Sequence, residues 1–146
     1  YIYARAQALA ESGKYRLAVN DYNEYENLMI SQVNSEFYYI RSQVEVKARL
    51  FQQALNDLDK AIDKSPDILL YRSEKASLQI RVHLLDQAIE TASECIRLFP
   101  DSSDGYLFLG LAQCLKGDKA LGVVNLLKAK DLGEAQADVL IEKYGK

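Results

Sequence analysis

Few side chains in this sequence have a type and spacing suited to chemistry. His83 is the only histidine in 146 residues, and imidazole is the side chain that ordinarily exchanges a proton near neutral pH. It has no serine or cysteine beside it in the setting of a nucleophile, so triad-type hydrolysis is not expected. Carboxylate pairs such as Asp57 with Asp59, or Glu24 with Glu26, stand two residues apart. On a helix that spacing makes them diverge, which suits neither an acid/base couple nor a metal chelate. Cys95 and Cys114 lack metal-site spacing and are expected as two small buried thiols rather than a disulfide. These residues imply no catalytic centre, no metal and no cofactor, and the protein is not expected to be an enzyme.

A repeat sets the elements that carry these side chains. The interval from Ala54 to Pro66 recurs from Ala88 to Pro100, shifted by 34 residues. That period is one helix-turn-helix hairpin, whose antiparallel helices bury their apolar faces only by stacking on neighbouring hairpins. The first helices are expected at about residues 1–12, 34–48, 67–81 and 103–116, each followed by a short turn and a second helix. Asn34, Asp67 and Ser102 or Ser103 supply N-cap oxygens, and Pro66 and Pro100 stop the second helices of the middle hairpins. Gly117 suits the left-handed residue that ends a first helix. The distance from Ala18 to Ala54 is 36, so two extra residues fall in the connection around Ser31 to Asn34. After Gly133, the residues Ala135, Val139, Leu140 and Tyr144 are spaced for one more amphipathic helix, a terminal cap over 134–144. The chain thus reads as one solenoid domain, 1–146, with units of about 1–34, 35–68, 69–102 and 103–133.

Eighteen basic against 21 acidic residues give a net charge of −3, which provides no footprint for a phosphate backbone, so no nucleic-acid partner is expected. Apolar runs such as Ile68 to Tyr71 fall far short of the roughly 20 residues that span a bilayer, so no transmembrane segment is expected. Two prolines, seven glycines and no low-complexity stretch leave no linker. The sequence opens on Tyr1, inside the first helix of a hairpin, the pattern of a processed protein or a segment of a longer one. A soluble protein, either cytoplasmic or exported after loss of a signal, fits this pattern.

Small residues recur at two steps of every hairpin: Ala6, Ser42, Ala76 and Gly110 at position 8, and Ala18, Ala54, Ala88 and Gly122 at position 20. The fourth hairpin adds Tyr106, Leu109 and Gly110, and Gly117 at positions 4, 7 and 8, and 15. On these residues the chain resembles the tetratricopeptide-repeat (TPR) family over nearly its whole length. The resemblance implies an all-α, right-handed helical-repeat solenoid of about four hairpins plus a C-terminal capping helix. It also implies a non-catalytic scaffold that binds a peptide or protein segment in a concave groove lined by the first helices. By the family's pattern the groove residues are Tyr3, Gln7, Tyr39, Gln43, Lys47, Ser73, Ser77 and Arg81. Gln7 and Gln43 would offer amides to an extended peptide backbone, with the rings of Tyr3 and Tyr39 as apolar platforms. Leu107, Phe108, Leu111 and Leu115 are expected beneath the cap. The alternative reading is a structural spacer or homo-oligomer.

Three departures from the family pattern stand out. Tyr25 replaces a small residue at position 27. Arg41 with Glu45, and Lys75 with Gln79, replace large apolar residues at positions 7 and 11. Arg41 and Glu45 are expected to pair along one helix face, moving the apolar load to Phe37, Val44, Ala48 and Phe51, and to Tyr71, Leu78, Val82 and Leu85. Finally, where one branch of the family grips a chaperone's terminal carboxylate with Lys, Asn and Arg, this chain has Tyr3, Gln7, Ile40, Leu70 and Glu74. In the next register it has Tyr39, Gln43, Glu74, Asp104 and Phe108, so a carboxylate-clamp adaptor is not expected.

Overall fold

The computed structural model describes all residues, Tyr1–Lys146, and contains nine α-helices. They divide into two compact units. Tyr1–Ile68 holds α1 (Ile2–Glu11), α2 (Tyr15–Met29), α3 (Ser35–Lys47) and α4 (Phe51–Lys64). Leu69–Lys146 holds α5 (Leu69–Arg81), α6 (Leu85–Leu98), α7 (Ser103–Lys116), α8 (Lys119–Asp131) and α9 (Gln136–Tyr144).

Each hairpin turns by the same backbone device. The residue after the first helix has positive φ: 79° at Gly13, 63° at Arg49, 65° at His83 and 107° at Gly117. Its N–H donates three residues back, to the carbonyls of Ala10, Val46, Ile80 and Cys114 respectively. The next N–H reaches five residues back, from Lys14, Leu50, Leu84 and Asp118 to Leu9, Glu45, Gln79 and Gln113, at 2.8–2.9 Å. This double closure satisfies the last carbonyls of the helix and needs a left-handed residue at its apex. Glycine takes that conformation freely, whereas Arg49 and His83 hold it at a cost.

Helix starts are more varied. Asn34 accepts a hydrogen bond from the N–H of Phe37 (2.9 Å), and Ser102 from that of Gly105. Asp67 does not take the expected cap position, because α5 begins only at Leu69. Ile68 stands where Ser102 stands one period later, and Asp67 lies in the preceding turn, as Asp101 does.

The small residues let paired helices come close. Ala6, Ser42, Ala76, Ala18, Ala54 and Ala88 are all fully buried. A methyl group on Gly110 would sit 2.7 Å from the carbonyl oxygen of Gly122 across the α7–α8 contact, which excludes any side chain there.

Every hairpin also carries a polar cross-tie from position 23 of its second helix. In the first two hairpins an aspartate meets the arginine of position 7: Arg5 donates to Asp21 at 2.5 and 2.8 Å, and Arg41 to Asp57 at 2.6 and 2.8 Å. In the last two the partner is the glutamine of position 11. Thr91 Oγ1 donates to Gln79 Oε1 (2.7 Å), and Asn125 Nδ2 to Gln113 Oε1 (2.6 Å). The expected Arg41–Glu45 pairing is present, but only as the longest of the arginine's ion pairs. Arg41 points across the hairpin and also donates to Glu26 (2.6 Å) and Asn23 (3.1 Å), which leaves Glu45 at 3.9 Å from its Nε. The reason is geometric: a planar guanidinium gains two parallel bonds from a carboxylate on the facing helix, which a neighbour on its own helix cannot match. The apolar load falls on Phe37, Val44, Ala48, Tyr71 and Leu78, all buried, while Phe51, Val82 and Leu85 are half-buried.

The second unit ends in α9. Its packed face is Ala137, Leu140, Ile141 and Tyr144, against a cluster of Leu107, Cys114, Leu126 and Ala129 joined by Phe108. The expected face is shifted, since Val139 is 66% exposed and Ala135 lies outside the helix. Cys95 and Cys114 are both free and buried. No helix is long and apolar enough to cross a membrane.

Candidate functional site

The Tyr1–Ile68 unit carries two adjoining recesses between α1 and α3, the first helices of its hairpins. One is lined by Tyr3 and Gln7 of α1, Tyr25 of α2, residues 32–34, and Glu36, Phe37 and Ile40 of α3. The other is lined by Gln7, Ala10 and Glu11, by Tyr22, and by Tyr39, Ile40, Gln43 and Val44. Gln7 and Ile40 belong to both, so the recesses form one continuous groove.

Its aromatic floor follows from the sequence's excess of tyrosine in the first hairpin. The Tyr3 ring lies 5.6 Å from Tyr22, 5.1 Å from Tyr25 and 6.3 Å from Phe37, measured between centroids. Tyr22 and Phe37 are buried beneath, meeting edge-on at 6.0 Å. Burial, with the nearby Glu36 charge second, raises the Tyr3 pKa, and burial pushes Tyr22 up to about 12. Both phenols therefore stay neutral and keep their hydrogen-bond donors. The charged side chains lining the groove are Glu11 and Glu36, and no cation is among them. The groove can thus take an apolar segment, hydrogen-bond its backbone through amides, and favour positive over negative charge.

Four of the eight sequence-derived site residues meet here: Tyr3, Gln7, Tyr39 and Gln43. Tyr3 is less a free platform than part of the ring cluster. Lys47, one turn beyond Gln43, lines a different recess and holds its Nζ 5.7 Å above the Tyr15 ring. Ser73, Ser77 and Arg81 lie on α5 in the second unit, where Ser77 and Arg81 are exposed. Ser73 is 4% exposed and its hydroxyl has no hydrogen-bond partner, so its short side chain is not presented on an open face. Tyr22, Tyr25, Val33 and Val44 are groove residues outside the sequence-derived set. Two signals pointed to Tyr25 and Val33: the tyrosine that replaces a small residue at position 27, and the two-residue insertion before Asn34.

No family model and no curated protein matches the chain. Among solved structures it is similar to MamA, with 21% identity over 94% of this chain and 79% of that one, at a TM-score of 0.77. It is also similar to YrrB, described as a TPR protein with an unusual peptide-binding site (18% identity, 97% and 73% covered, TM-score 0.79). A third likeness is to the first TPR of Spaghetti (RPAP3), solved with the HSP90 peptide SRMEEVD (14% identity, 77% and 90% covered, TM-score 0.70). These likenesses establish the fold of the chain as the tetratricopeptide-repeat fold.

Proposed function

We propose that the protein is a non-catalytic interaction module whose first unit binds an extended peptide between α1 and α3. The observation that carries this reading is the placement of Gln7 and Gln43 along one groove with an apolar floor of Tyr22, Ile40 and Val44. A glutamine amide has both donors and acceptors, which suits a peptide backbone of any sequence, while the floor selects apolar side chains. The peptide-binding site described for YrrB and the peptide bound to RPAP3 give the reading support at the level of the fold. The acids Glu11 and Glu36 bias the ligand towards a basic or neutral segment and away from an acidic chain end.

Selection of peptides on the wild-type protein, followed by affinity measurement on Gln7→Ala/Gln43→Ala, tests it. Affinity should fall at least tenfold, about 1.4 kcal/mol, with the circular dichroism unchanged. Equal affinity in the double variant sinks the proposal.

Self-association is the second reading. It is favoured by α8, which is apolar on both sides: Leu126 and Ala129 are buried, while Leu121, Val124 and Leu127 are 53%, 61% and 45% exposed at successive three-residue steps.

A further inference from the structure

A separate recess of the first unit lies where the start of α2 approaches the end of α3, lined by residues 13–17 and 47–49. Every charged side chain in it is cationic: Lys14, Arg16, Lys47 and Arg49. None of the four has a carboxylate partner, although the chain holds 21 acids to 18 bases. Their floor is apolar, with the Tyr15 ring beneath Lys47 and with Leu17, which is 53% exposed.

Three of the four are placed against local stability. Lys14 is the N-cap residue of α2 without a side-chain cap, and Arg16 stands in its first turn, where the helix dipole disfavours cations and no acid compensates. Arg49 occupies the left-handed apex of its turn, a place that Gly13 and Gly117 fill in other hairpins. Four mutually repelling cations around an apolar floor gain most from a ligand with several carboxylates and an apolar side chain.

We propose that this recess docks an acidic peptide segment, its carboxylates spread over Lys14, Arg16, Lys47 and Arg49 and an aromatic or aliphatic side chain seated between Tyr15 and Leu17. The recess is distinct from the groove between α1 and α3, and neither binding reading depends on the other. A peptide fits it better than nucleic acid or an anionic membrane, since these would spread over a chain of net charge −3 and gain little from a four-cation recess.

The test is selection from a random displayed peptide pool on the wild-type chain, with parallel selection on Arg16→Glu/Arg49→Glu. Peptides kept by the wild type and lost by the variant should be enriched in Asp and Glu together with Phe or Leu. The leading peptide should bind at least tenfold more weakly to the charge-reversed variant and as tightly as before to Gln7→Ala/Gln43→Ala. Arg49→Gly separates binding from folding: it relieves the turn, so it should melt no lower than wild type while binding the acidic peptide several-fold more weakly. No acidic enrichment, unchanged binding by both Arg49 variants, or tighter binding of an equally charged oligonucleotide or phosphatidylserine vesicle would each overturn the proposal.

Discussion

Glu45 is a buried carboxyl whose hydrogen bonding is incomplete. It is 3% exposed, its Oε2 has no partner, and the nearby Arg41 is already committed to Asp57 and Glu26. Burial, then the charge of Asp57, pushes its carboxyl up to about 8 from an ordinary 4.5. The folded chain therefore keeps a proton that the unfolded chain releases. The stability this gives is fully present below about 4.5 and is lost as pH rises through about 8. Melting temperature should decline across that window in the wild type, and Glu45→Gln should flatten the decline; a parallel decline in the variant would refute the assignment. The acid side is governed by the opposite case. Arg41 and Tyr38 hold Glu26 low against the opposing effect of burial, so its contribution is lost as pH falls through its depressed value.

The two aspartate cross-ties differ in burial, and that difference ranks them. Asp57→Ala would leave Arg41, with a side chain 4% exposed, facing a lost partner, at a cost of about 3–5 kcal/mol. Arg5→Ala breaks the equivalent pair where the arginine is 46% exposed and solvent screens the charge, and should cost far less. Denaturant melts of the two variants measure both, and equal losses would count against burial as the deciding variable.

At the scale of the element, the turn closure matters more than any single contact, because it ends all four first helices and recurs at Gly133 after α8. His83 is exposed and sits at φ 65°, at the left-handed apex of its turn. Replacing it with glycine should stabilise the protein by about 1 kcal/mol, a rise of roughly 2–4 °C in Tm. Gly117→Ala, at φ 107°, should destabilise by about 1 kcal/mol or more. Thermal melts of the pair decide the matter: a loss in His83→Gly would mean that the imidazole makes a contact that outweighs its backbone strain.

At the scale of the whole molecule, the exposed apolar stripe of α8 is the surface whose fate is most open to experiment. If a second copy covers it, light scattering should give a mass that rises with concentration, and Leu121→Lys/Val124→Lys should restore the monomer. A wild type that stays monomeric throughout removes that reading and leaves peptide recognition alone.

The sequence by itself determined the parts of this protein that depend on local necessity. The 34-residue period, the small residues at positions 8 and 20, and the helix-terminating prolines were enough to place hairpins and turns, because helix formation and closure are settled within about five residues of backbone. That Gln7, Tyr39 and Gln43 lie on the first helices was legible for the same reason, these being fixed steps of that repeat. Tertiary structure alone decided the rest. Arg41 chose Asp57, 16 residues away, over Glu45 on its own helix. The cap packed through Ala137, Leu140 and Ile141 rather than Val139, and Ser73 sank below the surface. Each of these outcomes turns on how far one helix is rotated against the next. That rotation reflects the packing of many side chains at once, each worth little alone, so no short stretch of sequence encodes it.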